Sequence, residues 1–152
     1  MRGRDLMVSM PATRARRLDG GQVMGPSAFD AVARYRQAGM SVTAAWSEPP
    51  DHIGVELEFM SHLAAKYIAA LSAYPNDEME RLLEAQQAFL RDHLGRWGPA
   101  FAERVREAAS CHLYRFLGVF LPEWLAFDRA LLDALARAGA QMESPNAHRR
   151  HH

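Results

Sequence analysis

A chain of 152 residues is long enough for one domain with a real core, and 49% apolar with 24% charged residues is ordinary for a globular protein. Lys plus Arg and Asp plus Glu are equal at 18, so there is no broad basic footprint for nucleic acid. Cys111 is the single cysteine, which excludes an intrachain disulfide framework and suits a reducing, cytoplasmic compartment, and no apolar run approaches the roughly 20 residues of a membrane span.

Residues 1–22 carry Arg2, Arg4, Arg14, Arg16 and Arg17 with weak periodicity and end at Gly20-Gly21. They read as a basic, poorly ordered arm. Arg16-Arg17 is a twin arginine, but Leu18-Asp19-Gly20-Gly21 follows it in place of the apolar stretch an export signal needs. A helical domain is expected over 23–138.

Its first helix begins at Gly25-Pro26-Ser27, with Ser27 as cap or Pro26 at the first helical position, and closes at Gly39. Ser41 to Ser47 reads as a linker that Pro49-Pro50 ends in an extended conformation. The strongest helical pattern follows, from about Pro50 or Asp51 to Ala73. Ile53, Leu57, Met60, Ala64, Ile68 and Leu71 form a stripe along one face of it.

Pro75-Asn76-Asp77 breaks the chain, and the next helix should run to Leu94 and stop at Gly95. Trp97, Phe101, Val105 and Ala108 mark a shorter helix from about Pro99. A last, aromatic-rich helix starts near Ser110, and Pro122 should kink or divide it. After Ala138 the pattern dies, and 139–152, with His148, His151 and His152, read as a disordered tail. No alternating strand pattern appears. The expected fold is all-α, a helical bundle of about five or six helices with antiparallel neighbours.

Polar chemistry concentrates in Pro49–Glu56. Asp51, at a helix start, can cap free N–H groups and complement the helix dipole. Alternatively, its charge favours a cationic partner such as a guanidinium. His52 and Glu56 share a helix face, as do Glu58 and His62, which invites a metal reading. The two pairs point roughly 200° apart, however, so no one ion collects all four. We expect no metal site. Cys111 and His112 are adjacent and do not face each other, so they do not suit a nucleophile pair. There is no phosphate loop, no dinucleotide fingerprint and no nucleophile elbow, hence no cofactor and no enzyme motif. Trp97, Trp124 and the Phe residues lie on apolar stripes and read first as core, with a groove for an apolar peptide as the alternative.

Glu48-Pro49-Pro50-Asp51-His52-Ile53-Gly54-Val55-Glu56-Leu57-Glu58-Phe59-Met60 closely resembles the signature of the TorD/DmsD family. Tyr35-Arg36-Gln37-Ala38-Gly39-Met40, Phe89-Leu90-Arg91-Asp92-His93-Leu94 with Trp97, and the helix from Tyr114 to Asp128 resemble its neighbouring segments. The likeness covers roughly 22–135. It implies an all-helical, non-enzymatic cytoplasmic chaperone for molybdenum-containing redox enzymes. Such a protein binds the twin-arginine signal peptide of the enzyme precursor and delays export until the cofactor is inserted. It also implies that Pro49, Asp51 and His52 take part in peptide recognition, with Glu56 buttressing the hinge. Only about twenty arginine-rich residues precede the match, so the chain is expected to lack most of the family's N-terminal helical half. An apolar face left open by that absence could be covered in a homodimer.

Overall fold

The computed structural model describes residues 25–40, 49–73 and 77–143, and every regular element among them is helical. The expected all-α class is therefore observed.

Helix α1 spans Pro26–Gln37. Pro26 takes the first position, where its missing N–H costs nothing, and Gly25 rather than Ser27 is the N-cap. The helix stops in a Schellman motif. The Met40 N–H donates to the Tyr35 carbonyl at 2.8 Å and the Gly39 N–H to the Arg36 carbonyl at 3.0 Å. This closure needs a left-handed residue, and Gly39 supplies it at φ +75°.

Helix α2 spans Ile53–Ala70 and tightens into a 3₁₀ turn over Leu71–Ala73. It does not bury the stripe expected from its periodicity. The core face is Val55, Glu56, Phe59, Met60 and Leu63. Of the expected stripe only Met60 is buried, and Ile68 is 66% exposed. Two apolar stripes lie side by side on this helix, and spacing alone does not say which meets the core.

The largest departure from the expected boundaries is at Gly95. Helix α3 (Asp77–Phe89) does not end there. It widens into a π segment, Leu90–Leu94, and continues as α4 (Gly95–Ala108). The Gly95 N–H bonds the Leu90 carbonyl, five residues back. A Cβ at Gly95 would lie 2.5 Å from that carbonyl oxygen and 2.6 Å from the Arg129 guanidinium. The glycine therefore makes room for the wide turn and does not terminate the helix.

Helix α5 spans His112–Glu143 without interruption at Pro122 and extends past Ala138. It packs along α4 and α3, with Leu125 and Leu132 buried. The core centres on three rings from three helices. Tyr35 and Phe89 each flank Phe59, at centroid distances of 4.7 Å. Leu63, Leu90 and Leu94 close the layer around them. Residues 1–22, the 41–47 linker and most of the 139–152 tail lie outside the described residues.

Candidate functional site: a held turn beside an apolar groove

The Pro49–Glu56 junction turns tightly because its backbone bonds close on themselves. The His52 N–H donates to the Pro49 carbonyl at 2.9 Å, and the His52 carbonyl accepts from the Glu56 N–H at 3.0 Å. His52 is in extended geometry, and its Nδ1 accepts from the Gly54 N–H at 3.1 Å. His52, and not Asp51, is thus the N-cap of α2. An accepting Nδ1 places the ring proton of the half-buried imidazole on Nε2.

The residues around the turn hold it from below. The Tyr35 hydroxyl donates to the Pro50 carbonyl at 2.7 Å. Burial first, and then the Glu56 and Asp51 charges, push the Tyr35 pKa up, which keeps the hydroxyl a donor. Asp51 is itself only 7% exposed.

Glu56 lies at the bottom, at 0% exposure. One carboxylate oxygen accepts from Trp97 Nε1 at 3.1 Å, and the other sits 3.5 Å from His93 Nδ1. His93 Nε2 is 2.8 Å from the Asp30 carboxylate. Arg34 Nε donates to the same Asp30 oxygen at 2.8 Å, and its terminal nitrogen reaches Asp92 at 3.1 Å. The His93 ring stacks flat on Phe89, 4.5 Å between centroids. One polar chain thus ties α1, α2, the π segment and α4 together.

The electrostatics follow from this geometry. Burial raises the Glu56 pKa, only partly offset by the hydrogen bonds from His93 and Trp97. Burial alone would lower the His93 pKa, but the hydrogen bonds to Glu56 and Asp30 outweigh it and the net shift is upward. Asp30 goes the other way, because its bonds to His93 and Arg34 overcome a burial that would raise it. The His93 ring thus lies between two acids, 2.8 Å from Asp30 and 3.5 Å from Glu56, whose buried carboxyl is held toward its neutral form.

Beside the turn lies an apolar groove of about 450 Å³. Ile53 and Leu57 of α2 form one wall, Phe101 and Val105 of α4 the floor, and Tyr114 and Trp124 of α5 the other side. Here Ile53 and Leu57, half-buried, pack against the edge of the core and also line the cleft.

The structure gathers Pro49, Asp51, His52 and Glu56 into one turn, with Pro49 and His52 half-exposed and the two acids beneath the surface. It does not gather the His/Glu pairs. His52 caps the helix, Glu56 bonds Trp97, Glu58 is exposed and His62 Nε2 lies 3.1 Å from the Ala38 carbonyl. Among the described residues no three His, Cys, Asp or Glu side chains are placed to share an ion. The supporting residues Asp30, Tyr35, His93 and Trp97 were not visible as site residues in the sequence. The four-residue spacing of Phe89, His93 and Trp97 was the available signal, but the expected stop at Gly95 hid it.

These features place the molecule among all-α domains whose buried polar groups hold a loop-to-helix turn. The family model described as nitrate reductase delta subunit matches residues 14–103, beginning inside the arginine-rich segment. The chain belongs to this family, which includes the TorD/DmsD-type chaperones and is not a family of enzymes. Similar proteins named chaperone protein TorD occur in Vibrio cholerae (33% identity over 97 residues, 64% of this chain and 43% of the relative) and Aeromonas salmonicida (38% over 92 residues, 58% and 42%). Another, from Photobacterium profundum, is 31% identical over 114 residues, 75% of this chain and 51% of its own. The chain spans about half the length of these relatives. No solved structure matches it significantly. Among the described residues no helix is long and apolar enough to cross a membrane.

Proposed function

We propose that the chain is a cytoplasmic chaperone in the maturation of a redox enzyme. Its client is a molybdenum-containing oxidoreductase, and it binds the twin-arginine signal peptide of the client's precursor until the cofactor is in place. The observation that carries the reading is the apolar groove abutting the Pro49–Glu56 turn. Ile53 belongs to both: it is the first residue of α2 and lines the groove. A signal peptide pairs an arginine-bearing start with an apolar stretch, and a groove beside an acid-bearing turn suits both parts. His52 contacts the peptide, Pro49 shapes the turn, and Asp51 supplies negative charge. Glu56 supports the turn from within.

The burial of Asp51 favours a second reading. A helical interaction domain that has lost peptide binding would also keep both acids covered. Calorimetric titration with a twin-arginine peptide separates the two. Under the chaperone reading the wild type binds, while Asp51→Ala, His52→Ala and the groove variant Tyr114→Ser bind at least about tenfold more weakly. A folded wild type that shows no heat of binding leaves the second reading.

A further inference from the structure

The chain carries a twin arginine of its own, Arg16-Arg17. It lies in a segment with the two chemistries a signal peptide would bring to the site. Leu6-Met7-Val8 and Met10 form a short apolar run, and Arg14, Arg16 and Arg17 follow it. The first 22 residues hold five arginines against Asp5 and Asp19. Since the whole chain is neutral, the residues after them are net negative by three. Segment and domain are therefore opposite in charge.

The groove matches this segment in composition and in reach. Its walls at Ile53, Leu57, Phe101, Val105 and Trp124 are aliphatic or aromatic, so they suit an apolar occupant. Asp30, with a side chain 51% exposed, stands five residues after Gly25, and Asp51 lies in the turn. Arg17 is eight residues ahead of Gly25 and can range about 28 Å from it. The turn is inside that radius, because Tyr35, which holds the Pro50 carbonyl, is ten residues or about 15 Å along α1 from Gly25. Met10 can range about 50 Å, enough to cross the groove. The order also fits. Going back from Gly25 the chain meets the arginines first and the apolar run second, while Asp30 is near Gly25 and the groove begins past the turn, at Ile53.

We infer that Leu6–Arg17 docks on its own domain as an internal stand-in for the signal peptide, with the apolar run in the groove and the arginines against Asp30 and the turn. This regulation presupposes the peptide-binding role of the groove: an arriving peptide must displace the chain's own segment. Tethering sets the strength. A segment on a short link meets its site at an effective concentration on the order of 1 mM. With an untethered dissociation constant of about 0.1 mM it is docked about nine tenths of the time, and a competing peptide binds about tenfold more weakly than to an empty groove.

Docking can be read without any signal peptide. In a Cys111→Ser background, a nitroxide on Met10→Cys should broaden the amide signals of Ile53 and Leu57 and the indole signal of Trp124. It should spare Ala70, about 25 Å from Ile53 along α2. Arg16→Glu with Arg17→Glu should abolish the broadening. A mixture of nitroxide-bearing chains and isotope-enriched chains without nitroxide should show none, because each segment docks on its own domain. In calorimetry with a twin-arginine peptide, the double variant should bind about tenfold more tightly than the wild type. Groove signals that stay sharp overturn the proposal, as does broadening that survives the charge reversal or that appears in the mixture, where the occupant would be a second copy. Equal, measurable peptide affinities overturn it too. A docked segment on a protein that binds peptide in neither form would instead defeat the signal-peptide role and leave the segment as the groove's occupant.

Discussion

His93 bridges two carboxylates from two other helices: its Nε2 lies 2.8 Å from Asp30 and its Nδ1 3.5 Å from Glu56. The bridge exists because the chain does not stop at Gly95. The π segment places His93 on the inner side of the turn, stacked on Phe89, and the continuing α4 brings Trp97 onto Glu56.

Removing the bridge should be costly. His93→Ala leaves the fully buried Glu56 with only the Trp97 donor and strips Asp30 of one partner. A loss of about 3 kcal/mol in unfolding free energy is expected, as for other buried charge networks broken on one side. Urea denaturation of wild type and variant measures it. A loss under about 1 kcal/mol would mean the network contributes no more than an ordinary neutral hydrogen bond.

Stability should fall as pH rises through neutrality. The folded-state pKa of His93 is raised above 6.5, so the stabilisation it gives is complete below 6.5 and is lost as pH passes the raised value. Glu56, also raised, adds a loss of the same sign from above 4.5. The lowered pKa of Asp30 acts only at the acid end, where its contribution disappears as pH drops below 3.8. Denaturation midpoints should therefore be higher at pH 6 than in mildly alkaline buffer, and His93→Gln should flatten that slope. An unchanged slope in the variant would assign the dependence to other groups.

Tyr35→Phe keeps the ring packed against Phe59 and removes only the hydrogen bond to the Pro50 carbonyl. Stability should drop by about 1 kcal/mol. Amide hydrogen exchange at His52 and Gly54 should quicken while exchange in α3 changes little, because the lost bond holds the turn and not the bundle.

Gly95→Ala tests the reading of the π segment by its sign. In a regular helix alanine would add up to about 1 kcal/mol over glycine. Here the new methyl would meet the Leu90 carbonyl oxygen at 2.5 Å, so a loss of about 1–3 kcal/mol is expected. A raised melting temperature would show that the wide turn relaxes to a plain α-helix.

Much of the fold was legible because its signals are local. Pro26 starts α1 through its fixed φ, Gly39 ends it through a positive one, and both act within a few residues. The Pro-Pro-Asp-His turn could be found for the same reason. The core face of α2 was not legible, since Ile53 and Leu57 fit helical periodicity as well as Val55 and Phe59 do. Gly95 misled because a C-terminal glycine and a glycine that admits a backbone carbonyl look identical in sequence.

The sequence by itself determined that the chain is all-α, where the exceptional turn lies and to which family it belongs. Each of these rests on residue type and short spacing. Only the tertiary structure decided what the turn's acids do. The Trp97–Glu56 bond spans 41 residues of sequence and the His93–Asp30 bond 63. Contacts of that range depend on how helices cross, and helical periodicity specifies a face but not the element that will meet it.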